Sequence, residues 1–251
     1  MYDNKLSIYY DDLYLNKDYK NECELIKKYS LKNGNLLDVG CGTANHTIIL
    51  SEYFKDILAI DLSPSMLLVA ERKFKERDIY KIKTLCTPVQ ELAWQVKFDT
   101  VISMFNVINH IRTVSELLSF FESVSKLLDK DGVFIFDCWN GVACTIDKPR
   151  EKNTKEYSFI NYKLFSTTTT HTNLFNSLSE MNTVIEVYDD FSLVDKFEYS
   201  LNQTLWTPHV LADLLKMAGL YAQKIIPSVN DKDFATEKDY RLTFICKKQL
   251  I

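Results

Sequence analysis

Short, mostly apolar runs alternate in this chain with stretches whose apolar residues recur every three or four positions. Residues 36–40 (LLDVG), 57–61 (ILAID), 100–105 (TVISMF) and 132–139 (GVFIFDCW) are the runs. Runs of this length, apolar on both faces, suit strands covered by helices on either side, and the periodic stretches between them suit the crossovers. The intervening pattern predicts an amphipathic stretch through Tyr53, a helix opened by Pro64 with Ser63 as its N-cap, and a helix over about residues 113–128. Proline loses nothing at a first helical position, where the N–H has no partner inside the helix. Residues 35–140 therefore predict an α/β body with a parallel sheet of βαβ units.

The flanks read differently. Residues 1–34 form a polar arm rich in tyrosine, among them Tyr9, Tyr10, Tyr14 and Tyr19, with a helix over about 21–29. From about 155 to 206 the pattern changes to alternation, as in VIEVYDD and KFEYSLNQTLW, and residues are rich in Thr, Tyr, Phe and Val. That pattern predicts an antiparallel β insertion late in the chain. Residues 207–251 then return to the body, with a helix opened by Thr207 and Pro208 and ended near Gly219. Two strands follow, near 221–226 and 240–246, and the expectation is a single domain over 1–251.

Composition narrows the field. The 251 residues carry 30 basic and 34 acidic side chains, a net charge of −4, which supplies no electrostatic pull toward nucleic acid. Six cysteines lie far apart with no C-x-x-C pair, which argues against a zinc site or a redox pair. The sequence shows no basic head with an apolar run at its start and no apolar stretch of about 18 residues. The expectation is a cytoplasmic protein with neither disulfides nor a membrane partner.

The segment LLDVGCGTANH, residues 36–46, carries the first chemistry. An apolar strand delivers the chain to Gly40, and Gly42 follows, so the backbone turns tightly and a ligand can approach with no Cβ in the way. Loops at the carboxyl ends of parallel strands are where such sheets bind ligands. Asp61 ends the next run, 23 residues after Asp38, where an acid can accept hydrogen bonds from both hydroxyls of a ribose. A dinucleotide site would place a third glycine where Asn45 stands. Asp38, two residues before Gly40, suits an ammonium group better than a pyrophosphate.

LLDVGCGTANH followed by AIDLSPSMLLVAERK resembles the first two motifs of the class I, Rossmann-like S-adenosylmethionine-dependent methyltransferases. The resemblance covers about residues 35–140. It implies S-adenosylmethionine as cofactor, with Asp38, Gly40 and Gly42 lining its methionine part, Asp61 on the ribose, and Leu62 and Met66 near the adenine. Tyr10, Tyr19, Cys41, Thr87, Val89, Met104 and Phe105 are further cofactor-side candidates, Tyr10 together with Tyr14 as a lid. The family often has an aspartate after the third strand for the adenine amino group; TLCTPVQEL has none, which leaves Thr87, Gln90 or a backbone N–H for that contact. More narrowly, FDTVISMFNVINHIRTVSEL, the β insertion, TLWTPHVLADLLKMAGL and the KDY at 17–19 are similar to the N-methyltransferases that act on nucleotide-linked amino sugars.

Methyl transfer is an in-line displacement that needs alignment and exclusion of water but no metal. The acceptor-side candidates are His110 as a general base, Tyr14 as part of a lid over the site, and Asp137 as a group that binds or deprotonates the acceptor or caps a helix. Asn106, Asn109, Trp139 and Asn140 stand nearby in sequence, whereas His171 and His209 read as structural. The function expected is N- or O-methylation of a small molecule, with a nucleotide-linked sugar or amino sugar first. Another small polar metabolite, such as a capsule or cell-surface building block, comes next, and a non-catalytic cofactor-binding partner protein is the rival. An adenine-DNA enzyme would need an N/D-P-P-Y/F-like motif where SMFNVI stands. A monomer and a homodimer are both open, and the insertion is expected to shape the acceptor site or a dimer contact.

Overall fold

A computed structural model describes residues 4–93, 95–231 and 233–249. The central sheet contains β1 (Asn35–Val39), β2 (Asp56–Asp61), β3 (Ile82–Cys86), β4 (Phe98–Ser103) and β5 (Leu128–Trp139), joined late in the chain by β10 (Leu220–Pro227) and β11 (Arg241–Lys248). Their order is β10-β11-β5-β4-β1-β2-β3. β1 to β5 run parallel, and β11 is antiparallel to both of its neighbours, β5 and β10. This is the Rossmann-like α/β sheet expected, with one reversed strand near its edge.

Successive residues of a strand point to opposite faces, and here both faces are apolar. Leu37, Val101, Phe134, Phe136 and Phe244 pack against Leu117 and Phe121 of α5 (Val114–Leu127) and Leu211 and Leu215 of α7 (Pro208–Met217). Their neighbours Leu36, Ile102, Ile135 and Ile245 turn the other way. They meet Ile26 of α2 (Tyr19–Tyr29), Leu50 of α3 (Asn45–Leu50) and Phe74 of α4 (Pro64–Glu76). Burial on both faces explains why the strand runs are continuous rather than alternating.

The helix starts follow their caps. Ser63 accepts from the Met66 N–H ahead of Pro64, and Thr113 forms a reciprocal capping box with Glu116 ahead of α5. Several elements differ from the sequence reading. The arm begins with a helix, α1 (Asn4–Leu13), whose Leu6 and Leu13 pack with Met66 of α4 and with Phe197. α3 stops at Leu50, short of Tyr53, whose hydroxyl instead donates to the carbonyls of Lys27 and Ser30. A short helix, α6 (Gly141–Ile146), follows β5 and was not signalled by the apolar pattern; the Asn140 side chain caps it by accepting from the Val142 N–H.

The insertion is a four-stranded antiparallel sheet, β6 (Lys152–Ser158), β7 (Lys163–Asn173), β8 (Leu178–Asp189) and β9 (Ser192–Thr204). It begins earlier than the alternation suggested, because the edge strand β6 is mostly exposed and polar and carries no apolar period. Among the described residues no helix is long and apolar enough to cross a membrane.

Candidate active site

The strand order turns back between β1 and β4, the place where open α/β sheets bind ligands. A cavity of about 520 Å³ opens there. Gly40 and Gly42 both have positive φ, +77° and +55°, a backbone region that side chains other than glycine seldom adopt. The two glycines differ in what a side chain would meet. A Cβ on Gly40 would lie 2.6 Å from Val107 Cγ2, whereas one on Gly42 would meet no heavy atom within 4 Å. Gly42 therefore opens on the cavity, and Gly40 packs against the next loop. The loop is pinned to β2, because the N–H groups of Gly40 and Cys41 both donate to the Ile60 carbonyl, at 2.8 and 3.0 Å.

Asp61 stands at the cavity edge with its carboxylate fixed by backbone donors. Gly42 N–H donates to Oδ2 and Ser63 N–H to Oδ1, each at 2.8 Å. A carboxylate has about four acceptor sites, so these backbone donors, with the Leu62 N–H, still leave room for a ligand's hydroxyl. Burial pushes this carboxyl up from its ordinary value. Leu62, Met66, Thr87, Val89 and Met104 line the same cavity, and Gln90 joins them. Three residues expected here face elsewhere. Asp38 is buried, accepts from Thr47 Oγ1 of α3 at 2.6 Å, and is pushed up to about 6 by that burial. Tyr19 sets its ring edge-on against His46, and Cys41 turns its thiol to the loop carbonyl of Gly42. Asp38 shares the face of Leu36, two residues before it in β1, and so points toward α3 and away from the cavity.

A second cavity of about 470 Å³ lies between α1, the segment 105–110, residues 147–150, the inner face of the four-stranded sheet and β11. Tyr10, Phe105, His110 and Leu201 line both cavities, so the two meet at a shared wall. Phe105 and Asn106 are consecutive left-handed residues, φ +71° and +63°, a conformation that costs each roughly 1–2 kcal/mol. Three contacts hold this turn. Asp137 Oδ1 accepts from the Asn106 N–H at 2.7 Å, Asn109 Oδ1 accepts from the Trp139 N–H at 2.9 Å, and Asn109 Nδ2 donates to the Thr204 carbonyl at 2.7 Å.

His110 is thereby carried to the wall. Burial lowers its pKa below the ordinary histidine value, and a hydrogen bond with the Asn202 backbone works in the opposite direction. A backbone contact that favours the charged ring is one in which the ring donates, and in the neutral ring the other nitrogen is then an acceptor. Tyr14 lines the second cavity and sets its ring perpendicular to Phe105, with centroids 4.7 Å apart. Asp137 is 1% exposed and lies behind the turn rather than on either cavity's lining. Burial pushes its carboxyl up, and the helix that follows β5 is capped by Asn140, not by Asp137. His171 and His209 are exposed and away from both cavities.

The structure also brings in residues that sequence reasoning did not single out. Asp11 of α1 accepts from Thr43 Oγ1 (2.6 Å), Asn45 Nδ2 (2.9 Å) and Lys73 Nζ (2.7 Å), which latches α1 over the glycine loop. Asn45, standing where a dinucleotide loop has glycine, is part of that latch. Arg241 and Lys17 both lie beside the Phe105 ring, with their cationic groups 5.8 and 4.8 Å from its centroid. Both approach Glu22, which also accepts from His46 Nε2 at 2.6 Å. Burial opposes ionisation of Glu22, but His46 and Lys17 outweigh it and hold the carboxyl at about 2. Apart from Lys17 and Glu22, five positions apart, these groups have partners tens to hundreds of positions away, which no local motif signals.

Residues 36–132 match the model of a family described as a methyltransferase domain. Among curated proteins, the chain is 28% identical over 145 residues to a dTDP-3-amino-3,4,6-trideoxy-α-D-glucopyranose N,N-dimethyltransferase of Streptomyces venezuelae, covering 55% of this chain and 59% of that one. The chain spans about half the length of the curated relatives it matches. Among solved structures, an S-adenosylmethionine-dependent methyltransferase from Clostridium acetobutylicum superposes with a TM-score of 0.84 at 24% identity, over 98% of this chain and 99% of that one. An amino pentose methyltransferase from Micromonospora echinaspora, solved with its cofactor bound, gives 0.74 at 17% identity over 98% of both chains. The fold is that of the class I methyltransferases, and the resemblance read from the glycine loop is borne out.

Proposed function

We propose that this chain transfers a methyl group from S-adenosylmethionine to a small-molecule acceptor, and that the acceptor is a nucleotide-linked amino sugar. The observation that carries the reading is the meeting of two cavities at the wall of Tyr10, Phe105, His110 and Leu201. A group-transfer reaction needs two ligands end to end with water kept out. The first cavity fits the cofactor. Gly42 leaves space that a Cβ would take, Asp61 offers a fixed carboxylate to a ribose, and Leu62, Met66 and Val89 give an apolar slot to a purine.

When bound, the cofactor supplies an electrophilic methyl on a sulfonium. The protein's part is alignment and proton handling. Phe105 and Tyr10 form the wall past which donor and acceptor face one another. His110, kept neutral near pH 7 by burial, accepts the proton that an ammonium or hydroxyl must lose for its lone pair to attack. The second cavity carries Lys148, Arg150 and Lys155 against one acid, Asp147, which favours an anionic acceptor such as a nucleoside diphosphate sugar. The relatives that act on dTDP-linked amino sugars point the same way.

The test is transfer of labelled methyl from S-adenosylmethionine to dTDP-3-amino-3,6-dideoxyglucose, with dTDP-glucose beside it. Product on the aminated sugar alone is expected. Product on dTDP-glucose shifts the reading to O-methylation. Binding of S-adenosylhomocysteine with no transfer to either sugar removes the acceptor assignment, and failure to bind it removes the cofactor assignment.

A further inference from the structure

Gln203 lies on β9 between the two residues that clamp the His110 turn. Asn202, before it, holds His110 through its backbone, and the carbonyl of Thr204, after it, accepts from Asn109. Alternation along the strand turns Leu201 and Gln203 into the second cavity. Gln203 is only 5% exposed, and its Oε1 is buried with no hydrogen-bond partner. Asn106, 8% exposed and lining the same cavity, has its Oδ1 in the same state.

Buried side-chain oxygens in folded proteins are nearly always paired, and an orphan asks for an explanation. Gln203 and Asn106 line one cavity, and a ligand that displaces their side chains only slightly would meet both oxygens. An amide oxygen accepts only, so the ligand group that meets it carries an N–H or O–H. A phosphate or carboxylate oxygen would be repelled there and drawn instead to Lys148, Arg150 and Lys155. Gln203 and Asn106 both belong to the segments that hold His110, so their oxygens are acceptors on the His110 side of the lining.

We propose that Gln203, assisted by Asn106, is a specificity residue that reads a hydroxyl or amine of the acceptor beside the methylated atom. This rests on the reading that the second cavity holds the acceptor. Gln203 is a positioning residue here and takes no part in the proton transfer.

Gln203→Leu removes the oxygen and keeps the bulk; Gln203→Glu keeps an accepting oxygen in place. With dTDP-3-amino-3,6-dideoxyglucose as probe, Gln203→Leu should raise KM about tenfold or more, the scale of one hydrogen bond to a substrate. Gln203→Glu should stay within about threefold of the parent, and binding of S-adenosylhomocysteine should be unchanged in both. Because the leucine removes an unpaired buried oxygen, Tm should rise by about 2 °C. An unchanged KM in Gln203→Leu, or a fall in Tm, overturns the proposal. If the parent protein does not act on the probe, the amino-sugar reading fails on its own. The melting comparison then decides Gln203 by itself: a rise marks an oxygen kept for a ligand, and a fall marks a structural one.

Discussion

The two cavities are made of different material. The first has one side set by local backbone: Gly40, Gly42 and Asp61 lie within 22 residues, and the bonds that shape that side join the glycine loop to Ile60 and Asp61. The second is mostly side chains drawn from α1, the 105–110 turn, residues 147–155, β7 to β9 and β11. Its determining contacts span long separations, such as Asn109 to Thr204 and Tyr162 to Asp12. A backbone-shaped cavity changes only if the glycines or the strand ends change. A side-chain cavity can be re-lined one residue at a time while the scaffold stays, which suits one donor paired with varied acceptors.

The seam between the halves is where the largest effect is expected. Gly141 N–H donates to the Trp206 carbonyl at 2.9 Å, and a Cβ there would sit 2.4 Å from the Leu205 carbonyl oxygen and 2.7 Å from that of Trp206. Both are backbone atoms that cannot rotate aside. Gly141→Ala should cost about 3 kcal/mol in denaturant unfolding, the upper range of overpacking. Gly42→Val makes the contrast: its Cβ meets open space, so donor binding should be lost while the loss of stability stays near the roughly 1–2 kcal/mol of a left-handed residue. A Gly141→Ala protein as stable as the parent would show that the halves are joined elsewhere.

His110 is next, because it belongs to both cavities. His110→Ala should slow turnover about a hundredfold or more, about 2.7 kcal/mol of barrier, and leave S-adenosylhomocysteine binding intact. The pH dependence follows from the sign of its shift. Burial lowers the folded pKa below 6.5, so the neutral ring is present at pH 7 and the rate falls only as pH drops through that lowered value. An acid limb that persists in His110→Ala would assign the titration to another group.

How much of this was legible in the sequence divides along the same line. The strand runs, the Pro64 and Thr207–Pro208 helix starts, the glycine loop and Asp61 are signals within a few residues, and the structure has them in place. The side chains of Asp38, Cys41 and Tyr19 turn to Thr47, to the Gly42 carbonyl and to His46, and for Asp38 and Tyr19 those partners lie on other elements that no local pattern brings together. The start of β6 fell outside the expected insertion because an edge strand need not alternate, and α1 was missed because its helix is held by Met66 and Phe197 from distant elements. Gln203 and Arg241 carry no motif at all; only the fold brings them to His110 and Phe105.

Asp61 tests the local cavity directly. Asp61→Ala should weaken S-adenosylhomocysteine binding by roughly 1.5–3 kcal/mol, the range for hydrogen bonds to a charged group. Part of that loss comes through the protein, since Gly42 and Ser63 lose the acceptor that fixes their N–H groups. Asp61→Asn keeps one acceptor oxygen and should fall between. Calorimetry that finds unchanged affinity in a folded Asp61→Ala protein removes the carboxylate from the ribose.

The smallest effect belongs to Asp137, and it separates two roles for a buried carboxyl beside an active site. As a base for the acceptor, Asp137 would need its charge, and Asp137→Asn would cost on the order of a hundredfold in turnover. The geometry favours the other role. Its Oδ1 holds the Asn106 N–H at 2.7 Å, and so fixes the two left-handed residues that set Phe105 and His110. An asparagine in the same place still offers an oxygen to that N–H. Oδ2 has no hydrogen-bond partner and lies 3.9 Å from Arg241 Nε, so replacing it gives up a long contact and not a hydrogen bond. Burial pushes the carboxyl up, meaning that the charge is already disfavoured where it sits. Asp137→Asn should therefore change turnover by only about threefold and keep the His110 limb of the pH profile. Asp137→Leu, which leaves the Asn106 N–H unpaired at about 1–3 kcal/mol, should lose both stability and rate. A hundredfold loss in Asp137→Asn with unchanged stability would instead place the proton on Asp137.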